Sequence, residues 1–272
     1  MKQLVLLLLL CGPVLAANDF ASDADCVALW KMDDGALTTD TLGGNTLTNL
    51  GAKFSADTDE ADHKEGDASA YANSGSNQGL YITDDNLDAD FPWEKNIADA
   101  TYSIAFWVKF NTLQTSYIIS KYYWSNGERS AIIAFGTNAG DSDRFQLIVY
   151  HSVDSGNSVT PIYHTADTWD GATATWYHVG VTYNDTTNEV NTYIYTDGGS
   201  TSSDSGDFGA DLYVGSSEEV YIGSGVNGTS GKIDGWIDEV VVWKRVLTES
   251  EMVDVREGDF AVGGAASAAQ IF

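Results

Sequence analysis

The chain is short of cysteine, of positive charge and of long apolar runs, and each shortage removes a class of protein. Its two cysteines are Cys11 and Cys26. Cys11 falls within an N-terminal apolar stretch that reads as a cleaved leader. Cys26 is then the only mature cysteine, and no intramolecular disulfide can form. The fold must hold by its core alone, or with a metal. Cys26 has no catalytic partner in the sequence and reads as a small buried apolar residue. Lys and Arg number 13 against 40 Asp and Glu, a formal net charge of -27. Binding to phosphate needs a basic surface, so nucleic acid is excluded as a partner, and anionic membrane surfaces with it. An excess of acid keeps a protein soluble and attracts cations. The apolar run Leu4–Leu10 is far below the ~20 residues a membrane span needs, so no membrane insertion is expected.

The same run has the form of a secretory signal. Lys2 supplies the positive start, Leu4–Leu10 the apolar centre, and Val14-Leu15-Ala16 the small residues of a cleavage site after Ala16. Leu10 before Cys11 is too large for a lipoprotein signal. The expectation is a secreted chain: a signal peptide over 1–16, one domain over 17–258, and a flexible small-residue tail over 259–272.

Several chemistries are missing. The histidines His63, His151, His164 and His178 have no zinc-ligand spacing. No EF-hand loop, Gly-x-Ser-x-Gly elbow or phosphate loop occurs. Helix signals are almost absent as well.

What is present is strand. Hydrophobic residues make up 43% of the chain, enough to build a core. Phe145–Tyr150 puts Phe145, Leu147 and Val149 on one face. Ser103–Phe110 does the same with Ile104, Phe106, Val108 and Phe110, leaving Trp107 on the other. Trp176–Tyr183 aligns Tyr177, Val179, Val181 and Tyr183. Val190–Tyr195 alternates again, and Ile237–Trp243 is almost wholly apolar. This period of two, with β-branched and aromatic residues, is the strand signature. Gly, Asn and Ser turns such as Asn126-Gly127 and Asn227-Gly228 separate the runs. The polar stretch Thr196–Asp207 reads as a long hairpin loop. One helix is expected after Thr248, with Glu251 completing a capping box, Arg256 near its end and Gly258 as its stop. The fold class is all-β, a two-sheet antiparallel sandwich with one short C-terminal helix.

Four segments, in order, resemble the laminin-G-like, concanavalin A-like jelly-roll family. They are Ala28–Gly35 with Thr39–Asn45, then Tyr102–Lys109, then Trp176–Tyr183, and last Tyr221–Gly223 with Gly235–Val240 and Trp243–Glu251. The resemblance implies an antiparallel jelly roll whose first and last strands are neighbours. It also implies a calcium site where those strands meet, with Asp33, Asp40, Asn45 and Asp238 as ligands, since hard cations want several oxygens. Glu239, next to Asp238 on a strand, is expected to face the other way. The family's glucanases carry a Glu-x-Asp-x-x-Glu strand, and this chain lacks it, so a binding protein is expected rather than an enzyme.

A glycan site needs exposed aromatic rings with polar neighbours. Tyr122-Tyr123-Trp124 followed by Asn126, Glu128 and Arg129 is the densest such cluster, and Tyr123, Trp124, Asn126 and Arg129 are the candidate sugar contacts. Trp93 and Trp169 also sit in turn-like surroundings. The expected partner is a polysaccharide or glycoconjugate, or another surface protein. The alternatives are a surface-layer, adhesin or coat subunit without a small ligand and, less favoured, a polysaccharide-cleaving enzyme.

Overall fold

The computed structural model describes residues 18–123, 128–138, 141–154 and 159–261. The expected leader, the end of the expected tail, and the candidate contacts Trp124 and Asn126 lie outside the described residues.

Among the described residues, fifteen strands form two antiparallel sheets. In chain order they are β1 (Cys26–Trp30), β2 (Thr48–Asn49), β3 (Ser55–Asp57), β4 (Ser69–Asn73), β5 (Leu80–Ile82), β6 (Tyr102–Phe110), β7 (Ser116–Tyr123), β8 (Glu128–Asn138), β9 (Asp141–Ser152), β10 (Val159–Tyr163), β11 (Trp176–Asn184), β12 (Glu189–Thr196), β13 (Thr201–Asp207), β14 (Val220–Ile222) and β15 (Asp234–Trp243). The eight-stranded sheet runs β13-β12-β11-β6-β15-β4-β3, with β1 also paired to β15; the seven-stranded sheet runs β10-β9-β8-β7-β14-β5-β2. β1 pairs with β15 from Cys26–Trp243 to Trp30–Val240, so the first and last strands are neighbours as the resemblance implied.

Alternation explains the core. Ile104, Phe106, Val108 and Phe110 of β6 and Val179, Val181 and Tyr183 of β11 face Ile133 and Phe135 of β8 and Phe145, Leu147 and Val149 of β9 in one buried cluster. Trp93 and Trp169, expected near turns, are buried in this cluster too. They are unavailable to a ligand, because loop residues can fold inward where strands leave a gap at the sandwich end.

The stretch after Thr196 is not a loop. It turns at 197–200 and continues as β13, an edge strand pairing Tyr195 with Thr201 through Glu189 with Asp207. Its Ser and Asp residues hid it, but a half-solvated edge tolerates them and resists sheet-to-sheet aggregation.

The helix α1 (Glu249–Glu257) forms as expected. The Thr248 Oγ1 accepts from the Glu251 amide, the Glu251 carboxylate accepts from the Thr248 amide at 2.7 Å, and Gly258 closes it at φ 79°. It lies on the outer face of the eight-stranded sheet, where Met252 and Val255 pack with Leu29, Ala105, Val241, Trp243, Phe20 and Phe260. Gly180 permits this: a Cβ there would meet the Met252 sulfur at 2.7 Å. Phe260, within the stretch expected to be tail, is buried against Trp243, and its amide donates to Asn18 Oδ1 at 3.0 Å.

Candidate functional site

Two places gather functional side chains, one on each sheet. The first is the junction where β15 changes partner. Its start pairs with β4 (Asp234–Asn73 to Ile237–Ala70) and its end with β1, while β6 follows it on the other side with a register shift between Asp238 and Val241. Ile237 and Val240 both point into the sandwich core. Two residues therefore fill the step between them, and Glu239 takes φ 48°. This is a β-bulge. It corrects the expectation that Asp238 and Glu239 face opposite ways: strict alternation fails at the extra residue, and both carboxylates lie on the outer side.

The segment 57–67 folds over that side. Asp238 Oδ2 accepts the amides of Lys64 and Glu65 at 2.7 and 3.0 Å, and Asp33 Oδ1 accepts the amide of Asp67 at 3.0 Å. Gly66, at φ 61°, is needed for this approach, because a Cβ would lie 1.8 Å from Asp33 Oδ1. Asp238 is completely buried, and its Oδ1 has no hydrogen-bond partner. Burial pushes Asp238 up to about 7 against its two amide bonds, with the charges of Glu65 and Asp33 adding to the rise. Burial and then Asp238, with Glu65 and Asp33 behind, push Glu239 up to about 8 against the opposing charge of Lys31. The chain thus holds acids together with little positive charge to relieve them.

The other two expected calcium ligands are elsewhere engaged. Asp40 Oδ1 accepts the amides of Leu29 and Leu42, both at 3.0 Å, and its Oδ2 accepts the Asn45 amide and side chain at 3.1 and 3.0 Å. Asn45 Oδ1 accepts the Asp88 amide, and its side-chain amide also reaches Val27 O and Asp88 Oδ2. Asp40, whose carboxylate accepts four turn hydrogen bonds, and Asn45, held by Asp40, Val27 and Asp88, shape the loop after β1. The four residues expected as one ligand set therefore divide into a turn, Asp40 with Asn45, and a carboxylate pair, Asp33 with Asp238. Among the described residues no three His, Cys, Asp or Glu side chains converge as a metal-ligating group. The unpartnered Asp238 Oδ1 fits a hard cation. Most of the six to eight oxygens that calcium takes would come from backbone carbonyls and water.

The second place is the outer face of the seven-stranded sheet. Residues paired across strands share a face, and the pairs Tyr81–Tyr221, Tyr221–Ser120, Ser120–Ile132 and Ile132–Tyr150 run across five strands. A second row joins Tyr117, Ala134, Ile148 and Tyr163. The face is therefore rich in tyrosine. Tyr81 and Tyr221 stack at 5.5 Å. Ile132, Ala134 and Tyr122 are its buried floor, with Tyr117, Tyr150 and Val159 packed around them. Burial raises Tyr117 and raises Tyr122 to about 12; Tyr150 is raised by burial and by its neighbours Tyr163, Tyr117 and Tyr122. These phenols are uncharged donors at neutral pH. Tyr117, Tyr122, Tyr123, Val226, Thr229 and Ser230 line an open groove of about 290 Å³ on this face.

Of the expected sugar contacts, Tyr123 lines this groove. Arg129 does not reach it. It lies in β8 as its second residue rather than in a loop, and it is completely buried with its guanidinium 5.4 Å from the Tyr122 ring centre. The sequence missed Tyr117, Tyr81 and Tyr150 as surface residues. Their position opposite the apolar residues of each strand was the available signal.

The architecture is that of a concanavalin A-like sandwich. The chain belongs to the concanavalin A-like lectin/glucanases superfamily, whose model matches residues 74–252. Among solved structures it is similar to the enzymatically active domain of bacteriophage CBA120 tailspike protein 2, at TM-score 0.52 and 10% identity, over 79% of this chain and 29% of that one. It is also similar to the Ruminococcus gnavus IT-sialidase CBM40 bound to alpha2,3 sialyllactose (TM-score 0.44, 12% identity, 57% of this chain and 82% of that one). A third is the marine PL-14 alginate lyase from Aplysia kurodai (TM-score 0.45, 8% identity, 70% and 87%). No curated protein matches the sequence. At these identities the likenesses speak to fold alone.

Proposed function

We propose that this chain is a secreted carbohydrate-binding protein that takes a glycan on the outer face of its seven-stranded sheet. The observation that carries the reading is the groove of Tyr117, Tyr122 and Tyr123 bordered by Thr229 and Ser230. Sugars offer apolar C–H faces to aromatic rings and hydroxyls to polar edges, and this groove presents both. Membership of a superfamily of lectins and glucanases supports it. The test is binding of the mature chain to a polysaccharide panel. Tyr117→Ala with Tyr123→Ala should abolish retention while leaving the melting temperature within a few degrees. Retention unchanged in that double variant would remove the site.

The reading is of binding without turnover, since the raised acids Asp238 and Glu239 lie on the other sheet, away from the groove. Release of reducing ends by the wild type, lost in Asp238→Asn, would replace it with the cleaving alternative.

Calcium belongs to the same proposal as a structural ion. Asp33 and Asp238 would hold it beside the 64–67 backbone, and it would neutralise the carboxylates that burial now penalises. A ligand that binds only the folded state raises stability by about 2.7 kcal/mol at a hundredfold excess over Kd. Calcium should raise the melting temperature of the wild type but not of Asp238→Asn, whereas Asp40→Asn should destabilise the chain and keep the calcium response. Equal melting curves in calcium and chelator would dismiss the ion.

A further inference from the structure

The charge around the tyrosine groove narrows the class of glycan. We infer that the groove takes an uncharged polysaccharide and rejects acidic ones; this rests on the carbohydrate-binding reading above. Among the described residues no side chain that lines the groove is charged: it is three tyrosines, Val226, Thr229 and Ser230. Binding of a uronic or sialic carboxylate draws on Arg or Lys, which form charge-assisted and often bidentate bonds to it.

Seven of the chain's 13 cations are committed away from the groove. Lys64, Lys109, Lys244, Arg245 and Arg256 pair with Asp197, Asp62, Asp90, Asp23 and Glu257 in the ion pairs of the eight-stranded sheet, its cover and α1. Lys121 is buried on Asp84. Arg129 lies against the Tyr122 ring and is completely buried, so a sugar carboxylate has no route to its guanidinium. Acids lie near the same sheet face: Glu219 and Glu218 both act on Tyr221, in the same row as Ser120 and Ile132. With a net charge of -27 behind it, the groove repels polyanions at long range and offers them no partner on arrival.

The surface instead suits a neutral chain lying across the strands. The strands are spaced about 4.8 Å apart. The row from Tyr81 to Tyr150 crosses four such intervals. Tyr221, Ser120 and Ile132 in that row are buried, so a sugar would meet the partly exposed rings of Tyr81, Tyr117, Tyr123 and Tyr150.

The experiment measures binding of the full mature chain to paired probes at low and high salt: laminarin and mannan as neutral polysaccharides, alginate and polygalacturonate as acidic ones. The expected result is binding to a neutral probe that salt does not change, weakened roughly tenfold for each of Tyr117→Ala and Tyr123→Ala, the size of one aromatic contact. Lys232→Gln, two positions beyond Ser230, should leave it unchanged. Thr229→Arg should confer binding to an acidic probe. Wild-type binding to alginate or polygalacturonate that depends on the tyrosines would overturn the charge rule and keep the carbohydrate reading. Binding to neither class would overturn the carbohydrate reading itself.

Discussion

The two sheets share one core but differ on their outer faces. On the eight-stranded sheet the outer face is covered. Segment 57–67 is tied down by Trp236 Nε1 donating to Asp57 at 2.9 Å and Trp176 Nε1 donating to Ala61 O at 3.3 Å. Lys109 sits between those rings, 4.3 and 5.4 Å from their centres, and pairs with Asp62. Lys64 lies over Trp107, Arg256 over Tyr195, and α1 over Gly180. On the seven-stranded sheet, among the described residues, the aromatics have no α-helix above them and no exposed cation paired to their rings. Aromatic content alone therefore does not mark a binding face. The same residue types form a covered structural layer on one sheet and a groove on the other.

Three results would break or sharpen that contrast. The largest effect belongs to the covered face. Trp243 is completely buried between Phe20 and Phe260, with ring centres 5.6 Å from each. Trp243→Ala should cost about 3–5 kcal/mol. Denaturant unfolding would read this as a lower midpoint, and glycan binding below the transition should be unchanged. If binding fell in step with stability, the faces would not be independent.

Next comes acid sensitivity, also from the covered face. His178 packs edge-on to Trp107 at 5.0 Å, and burial, with the Arg256 charge, lowers it from 6.5 to about 3. A histidine lowered on folding contributes stability above its unfolded pKa and loses it as pH falls. Between pH 7 and pH 5 this amounts to about 2 kcal/mol. The fall in melting temperature over that window should be smaller in His178→Gln and little changed in Arg256→Gln, because burial alone keeps the folded histidine below the window. An unchanged slope in His178→Gln would show that the layer admits the proton freely.

The smallest effect belongs to the open face. Tyr123 is only half-buried at the end of β7, so Tyr123→Ala should change unfolding free energy by less than about 1 kcal/mol. A larger loss would make that ring part of the fold, and its role in the groove would have to be argued again.

Much of this was legible in the sequence, and the reason lies in local patterns. Period-two alternation located β6, β11, β12 and β15, and Thr248, Glu251 and Gly258 located the helix, because both signals are written within a few residues. β13 was not legible, since a solvated edge strand carries no apolar stripe. Nor was the outward pair Asp238 and Glu239. The bulge exists because β15 passes from β4 to β1 at that point, and partner exchange is a property of the sheet.

The sequence by itself determined the jelly-roll class, the acidic balance, the helix and its caps, and the neighbouring of first and last strands through the family resemblance. Only the tertiary structure decided which oxygens and rings meet. It turned Asp40 and Asn45 inward to a loop, left Asp238 Oδ1 buried without a donor, buried Arg129, and set Tyr117 and Tyr123 beside Thr229 and Ser230. Those juxtapositions join residues up to more than a hundred positions apart through strand pairing, and pairing is fixed by the packing of the whole sandwich rather than by any one segment.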